Sequence, residues 1–188
     1  MAPQQSTKSA FPPIFECLDR LSKAFDRRNV RDLREVMNHC AAKLVTDEQH
    51  AYFLLALIAY ILSKIIQKPR YKDPKIFKRI EASLKEAISF AKLNNAPALN
   101  ECLDRMLAGI TEMEKVDRRF VTNVVEKGRT KIASLLYAQG ISLNRSVSLT
   151  GARKQEVLSY TGKTMMADRF GRTLSAAERL KNARKILK

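Results

Sequence analysis

The sequence predicts an all-α fold, on the evidence of three observations. Apolar residues recur at three- and four-residue steps along most of the chain, which is the spacing of one face of a helix. The six glycines and six prolines fall mostly at the ends of these patterns, where helices begin and end. Signals for β-strands are few. We therefore expect an N-terminal helical bundle followed by a basic, helical C-terminal region.

The pattern divides the chain into three parts. Residues 1–11 open with the polar run MAPQQSTKSA and are expected to be a disordered lead-in. Residues 12–114 are expected to form the helical bundle, and residues 115–188 the basic region. The predicted helices span 13–27, 29–45, 47–67, 74–94, 96–114, 117–139, 142–149, 152–160 and 174–187.

The third predicted helix carries the longest apolar run, AYFLLALIAYIL at residues 51–62. A membrane span needs about 20 apolar residues, so this shorter run indicates a buried helix at the centre of the bundle. Thr46 and Asp47 are expected to cap its start, with Glu48 in its first turn.

Charge is distributed unevenly along the chain. The net charge is +16, and residues 1–114 hold 18 basic and 14 acidic residues, a balance of +4. Residues 115–188 hold 17 basic and 5 acidic residues, a balance of +12. A field this lopsided attracts polyanions, of which nucleic acid is the commonest in a cytoplasm. A merely basic, soluble surface is the alternative.

The three cysteines, Cys17, Cys40 and Cys102, lie far apart and form no CxxC pair. An odd number in helical segments suggests reduced, buried thiols, and hence a cytoplasmic protein. His39, Cys40 and His50 lack the spacing of a zinc site, so we expect no metal. We expect no cofactor either.

A helical corner is predicted within ISLNRSVSLTGARKQEVLSY, residues 141–160. Gly140 ends one helix, Ser142 caps the next, and Gly151 provides a turn that needs a positive φ. Val157 stands six residues after Gly151 and is expected to pack back on the preceding helix. Val147 stands four residues before Gly151, where the two helices are expected to approach closely. Further candidates for this small core are Leu143, Leu149, Leu158 and Tyr160.

This spacing is typical of a helix-turn-helix that binds DNA. Arg153, Lys154, Gln155 and Ser159 are expected on the exposed face of the second helix, where such residues contact base edges. Arg145 and Lys163 flank the corner and suit backbone phosphates. Simple helix packing is the alternative, as are contacts with RNA or protein through the same face.

The same stretch resembles uncharacterised archaeal helix-turn-helix proteins. The matching residues are Ser142, Leu143, Gly151, Glu156, Leu158, Tyr160, Gly162, Lys163 and Thr164. A shorter part is similar to small antitoxin-like regulators. The earlier segment AYFLLALIAYILSKIIQKPRYKDP is similar to a run in the same archaeal proteins. The resemblance implies a DNA-binding module attached to a helical domain of unknown role, and it implies no catalytic residues.

These observations favour a DNA-binding transcription regulator over an enzyme. Gly162-Lys163-Thr164 lacks both the glycine five residues earlier and the preceding strand that a phosphate-binding loop needs. The alternative is a helical scaffold protein with RNA or ribosome contacts. Two-fold dimers are common among helix-turn-helix proteins, so a homodimer is also an expectation.

Overall fold

The computed structural model describes the backbone of residues 12–67, 74–116, 123–164 and 176–186. Within these ranges the chain is helical and contains no strand, which confirms the all-α prediction. The helices are α1 (Pro12–Asp26), α2 (Val30–Thr46), α3 (His50–Ile66), α4 (Pro74–Lys92), α5 (Ala96–Val116), α6 (Val124–Ala138), α7 (Leu143–Thr150), α8 (Lys154–Thr164) and α9 (Ala176–Ile186).

α3 lies at the centre of the main core, as its apolar run predicts. The helix packs against α1, α2, α5, α6 and α7, and side chains on every side of it are buried. Leu55, Leu57 and Ile61 have no exposed surface. A helix that is apolar all round can be stable only in such a position, because any exposed side would leave apolar area in water.

The main core continues from α1–α5 into α6. Val124, Ile132 and Leu136 are buried in the same cluster as the residues of the first five helices. α6 approaches α3 closely at Gly128, where an added Cβ would lie 2.5 Å from Leu57 Cδ1 and 2.9 Å from Tyr60 Cδ1. Glycine is therefore what allows these two helices to pack at this distance.

Several helix ends follow local chemistry that the sequence predicts. Gly140 has a φ of 99° just beyond α6, and Gly151 has a φ of 66° at the end of α7. The side chain of Ser142 accepts a hydrogen bond from the Arg145 backbone N–H and caps α7. The predicted left-handed stops and the predicted cap are therefore confirmed.

The predicted cap of α3 is wrong. Asp47 instead ends α2, where its backbone N–H donates to the Lys43 carbonyl, and its side chain accepts from Gln49. α3 begins at His50 after Gln49, whose side chain makes no capping bond. The polar residues between the two helices thus form the connection that separates them, and Glu48 lies outside the first turn of α3.

Parts of the prediction fall outside the described residues. These are the lead-in 1–11, the start of the predicted helix 117–139, both ends of the predicted helix 174–187, and residues 68–73 of the segment that resembles the archaeal proteins. The boundary between the helical bundle and the basic region, placed between residues 114 and 115, remains a prediction. The three cysteines are buried and free of disulfide bonds, in agreement with the expectation of buried thiols.

Candidate functional site

α6, α7 and α8 pack on one another around a small second cluster. Ala133 of α6, Ala152 of the turn and Val157 of α8 are buried there, with Leu143 and Val147 packed against them. Val157 has no exposed surface, so the expectation that it would pack back on the preceding helices is confirmed. The cluster fixes the direction in which α8 leaves the turn.

Gly151 makes the turn between α7 and α8. Its φ of 66° is left-handed, and its backbone N–H donates to the Val147 carbonyl at 2.8 Å. Arg129 of α6 donates from Nη1 to the neighbouring Thr150 carbonyl at 2.7 Å. An added Cβ at position 151 would lie 2.7 Å from that same Nη1. The turn is therefore held by the guanidinium of α6 as well as by its own backbone.

Among the described residues, α8 is anchored on the side that faces α6 and α7. Thr130 of α6 donates to Glu156 Oε2 at 3.0 Å, which holds the first turn of α8 against α6. One turn later, the buried Thr161 donates to the Val157 carbonyl at 2.8 Å and so satisfies its own hydroxyl. The carboxylate of Glu156 therefore faces α6 and does not lie on the opposite face of α8.

The opposite face of α8 is exposed and is here called the outer face. It comprises Lys154, Gln155, Leu158, Ser159, Gly162 and Lys163. Arg153 precedes the helix, its side chain is 73% exposed, and it lies 3.6 Å from Glu126 and 3.5 Å from Glu156. Five of the six predicted contact residues, all except Arg145, thus lie together on or beside one exposed face.

Leu158 does not belong to the small core. It is 46% exposed on the outer face, which corrects the expectation that it would pack inside. Two adjacent residues of a helix point about 100° apart, so only one of Val157 and Leu158 can face α6. Leu149, by contrast, packs against the main core, and Val147 is accommodated half-buried in the second cluster.

Arg145 lies on α7 and is paired with the connection between α2 and α3. Its Nε donates to Glu48 Oε1 at 3.1 Å, and its Nη2 donates to Glu48 Oε2. This two-pronged contact joins residues 97 positions apart in the sequence. The carboxylate raises the pKa of the Arg145 guanidinium by hydrogen bonding and then by its charge. Arg145 is therefore held away from the outer face of α8 and is still about half exposed.

Two further basic residues near α8, Lys131 and Lys64, are not among the residues predicted from the sequence. Lys131 of α6 places its Nζ over the ring of Tyr160 of α8, 5.2 Å from the ring centroid. Lys64 of α3 lies in the same way over Tyr60, at 5.4 Å. The residues come from three helices, so no spacing in the sequence could have brought them together.

α9 carries an apolar side chain, that of Leu180, which is largely exposed. Leu180 is 54% exposed, and Lys181, Arg184 and Lys185 around it are exposed as well. Arg179 packs against Gly140, where an added Cβ would meet the Arg179 Cβ at 2.7 Å. α9 therefore touches the start of the α6–α7 connection, and its outer side is left open.

The part of the chain that the structure describes contains neither a cluster of metal ligands nor a membrane-spanning helix. No three His, Cys, Asp or Glu side chains in it are grouped so that they could hold a metal ion. None of its helices combines the length and the apolar character needed to cross a membrane. Comparison with known proteins finds no family model, no curated protein and no solved structure that matches the chain.

Proposed function

We propose that the chain binds double-stranded DNA and acts as a transcription regulator. In this proposal α7, Gly151 and α8 form a helix-turn-helix, and α8 lies in the major groove. The observation that carries it is the one-sided anchoring of α8, which buries Val157 and Thr161 and leaves the outer face exposed. An α-helix about 10–12 Å in diameter fits a major groove about 12 Å wide.

The chemistry of the outer face supports a polyanionic ligand. Lys154 and Lys163 bring positive charge, Gln155 and Ser159 bring hydrogen-bonding groups, and the face has no carboxylate. Glutamine can pair with adenine through two hydrogen bonds, and lysine reaches guanine or phosphate. Gly162 is exposed with no heavy atom within 4 Å of an added Cβ, so a backbone can approach α8 closely there.

Arg153 can exchange its present partners for DNA. It contacts Glu126 and Glu156 at 3.5–3.6 Å, and all three side chains are at least 42% exposed. Exposed ion pairs of this kind contribute only about 0–1 kcal/mol. A guanine edge or a phosphate offers a charge-assisted contact of greater strength. The position before the first turn of α8 is also where recognition helices read bases.

Arg145 has a different role from the residues of α8. Glu48 occupies both sides of its guanidinium fork, so a phosphate has to displace this carboxylate before Arg145 can bind it. In the proposal Arg145 therefore contributes to backbone binding only once α7 lies against the duplex.

The test is selection of preferred duplex sites from a random pool, followed by competition against mixed-sequence duplex. The variant Arg153→Ala with Gln155→Ala is expected to lower the ratio of preferred-site to mixed-sequence affinity at least tenfold, since each lost base contact removes about 1–3 kcal/mol of discrimination. The matched control is Arg27→Ala with Ser89→Ala, which removes one exposed cation just after α1 and one exposed polar side chain from α4. The control is expected to leave the ratio unchanged.

Two results contradict the proposal. An unchanged ratio in the α8 variant would show that α8 does not read the bases. Equal binding of duplex DNA and structured RNA, with no preferred site, would identify an RNA-binding or nonspecific polycationic scaffold instead. Size measurement with and without the selected duplex tests the associated expectation of a homodimer.

A further inference from the structure

A second basic surface lies beside α8, and its cations come from helices outside the proposed helix-turn-helix. It comprises Lys64 of α3 and Lys131 of α6 with the rings of Tyr60 and Tyr160, and the exposed Arg34 of α2, a helix that packs against both α3 and α6. We call these five residues the flanking patch. None of them is among the residues that the sequence singles out for DNA contact.

The packing of four helices, α2, α3, α6 and α8, assembles the flanking patch. α6 crosses α3 at Gly128, directly against the ring of Tyr60. Lys64 lies one turn after Tyr60 on α3 and Lys131 lies three residues after Gly128 on α6, so both lysines lie near this crossing. Each ammonium sits over a tyrosine ring, at 5.4 Å for Lys64 and 5.2 Å for Lys131. These cation–π contacts orient the lysines without neutralising them.

The cations of the flanking patch act on one another. Burial lowers the pKa of Lys64, and the charges of Arg34 and then Lys131 lower it further. Burial also raises the pKa of Tyr60; the nearby Tyr160 adds to this effect and Arg34 opposes it. Positive charges gathered in this way repel each other and disfavour the folded chain. A ligand with negative charge spread over several ångströms relieves that repulsion.

We infer that the flanking patch binds the phosphate backbone of duplex DNA beside the segment that α8 contacts. This inference rests on the proposed function, because α8 decides where the duplex lies. The two surfaces are continuous through α8 itself, since Lys163 on the outer face follows Tyr160 by three residues. A duplex that contacts Lys163 therefore extends over Tyr160 and Lys131.

The flanking patch is expected to supply affinity and register, and no sequence preference. Phosphate contacts position a protein on DNA but carry no base information. Each neutralised phosphate releases counterions, so the slope of log affinity against log salt concentration changes by roughly 0.9 per contact. Sequence discrimination depends on Arg153 and Gln155, so the two surfaces can be separated by experiment.

The experiment measures binding of the full chain to a fluorescent mixed-sequence duplex of about 30 base pairs, from about 50 to about 300 mM KCl. The variant Arg34→Gln, Lys64→Gln, Lys131→Gln is expected to reduce the magnitude of the salt slope by about 2.7. Its preferred-site to mixed-sequence ratio is expected to match that of the unchanged chain. The single change Arg34→Gln, at an exposed residue, is expected to reduce the slope by about 0.9 and keeps the test informative if the triple variant folds poorly.

The matched control is Lys78→Gln, Arg79→Gln, Lys85→Gln, which removes three exposed cations from α4. It changes the net charge by the same amount and is expected to leave the slope within about 0.5 of its original value. Thermal unfolding gives a second readout. Arg34→Gln is expected to leave the melting temperature unchanged or to raise it, because like-charge repulsion is removed.

Each outcome supports or overturns a distinct statement. If both triple variants lower the slope equally, only net charge matters and the flanking patch is not a contact surface. If the patch variant keeps the original slope while Arg153→Ala with Gln155→Ala loses discrimination, the inference fails and the proposed function stands. If the patch variant loses slope while the α8 variant keeps its discrimination, the patch binds DNA and the proposed recognition helix is wrong. If the unchanged chain does not bind the duplex, both statements fail.

Discussion

α3 and α8 are held in the same chain by different means. α3 buries 13 of its 17 residues and is fixed by apolar contact on all sides. α8 buries Val157 and Thr161 and is otherwise fixed by polar contacts with α6, such as the hydrogen bond from Thr130 to Glu156. The difference shows where substitutions are tolerated. Almost any change in α3 alters the core, whereas the outer face of α8 is free to change without loss of the fold.

The largest effect is expected at Leu57. Its side chain has no exposed surface and its Cδ1 faces Gly128 of α6. Leu57→Ala is expected to lower the free energy of unfolding by about 2–5 kcal/mol, because it removes buried methyl groups and leaves a cavity. Urea denaturation measures the loss, with Leu93→Ala as the control, since Leu93 is 74% exposed and should change stability by less than about 0.5 kcal/mol.

The same site offers a sharper form of this test. Gly128→Ala places a methyl group 2.5 Å from Leu57 Cδ1, and Leu57→Ala removes that atom. The double variant is therefore expected to lose less stability than the two single losses added together. Simple additivity would mean that Tyr60, the other neighbour of Gly128, sets the distance between α3 and α6.

The next largest effect is expected at Val157, the apolar anchor of α8. Val157→Ala is expected to cost about 1.5–2.5 kcal/mol, since it removes two fully buried methyl groups from a small cluster. Leu158→Ala is the adjacent control, and its 46% exposure predicts a much smaller loss. Equal losses of stability at the two positions would show that the inner and outer sides of α8 do not differ in packing.

A pair of glycine substitutions is expected to give changes of opposite sign. Gly151→Ala is expected to cost about 1–2 kcal/mol, because alanine is strained at a φ of 66° and its Cβ would crowd Arg129. Gly162→Ala is expected to raise stability by about 0.5–1 kcal/mol, because position 162 is helical and open. Loss of stability at both sites would show that α8 packs against more of the chain than α6 and α7.

The smallest effect is expected from the polar anchor. Thr130→Val keeps the volume of the side chain but removes the hydrogen bond to Glu156, at a cost of about 1 kcal/mol. Thr46→Val, at an exposed residue whose hydroxyl donates to the Lys43 carbonyl of its own helix, is expected to change stability by less than about 0.5 kcal/mol. If Thr130→Val leaves the free energy of unfolding unchanged, Val157 alone holds α8 in place.

Local signals in the sequence predict much of the fold. Gly140, Ser142 and Gly151 act within a few residues of their own position, and their roles as stops and cap follow from backbone sterics and hydrogen bonding. The six-residue spacing from Gly151 to Val157 is also local, and it predicts that Val157 packs α8 against the preceding helices. The capping prediction at Asp47 is wrong because one residue can end the preceding helix or cap the next, and local chemistry allows both.

Contacts between distant segments could not be predicted from the sequence. Glu48 and Arg145 are 97 positions apart, and their pairing depends on how α7 packs near the connection between α2 and α3. The flanking patch depends in the same way on the crossing of α3 and α6. Periodicity identifies the exposed side of a helix, but it does not show which exposed sides meet.

α6 belongs to both hydrophobic clusters, through neighbouring residues. Ile132 is buried in the main core and Ala133 in the second cluster. Heat that separates α8 from α6 therefore also loosens the support of α3, and a single calorimetric endotherm is expected in place of two. For the same reason, a duplex bound on the outer face of α8 should slow amide hydrogen exchange in the first half of α3, which precedes the residues of the flanking patch.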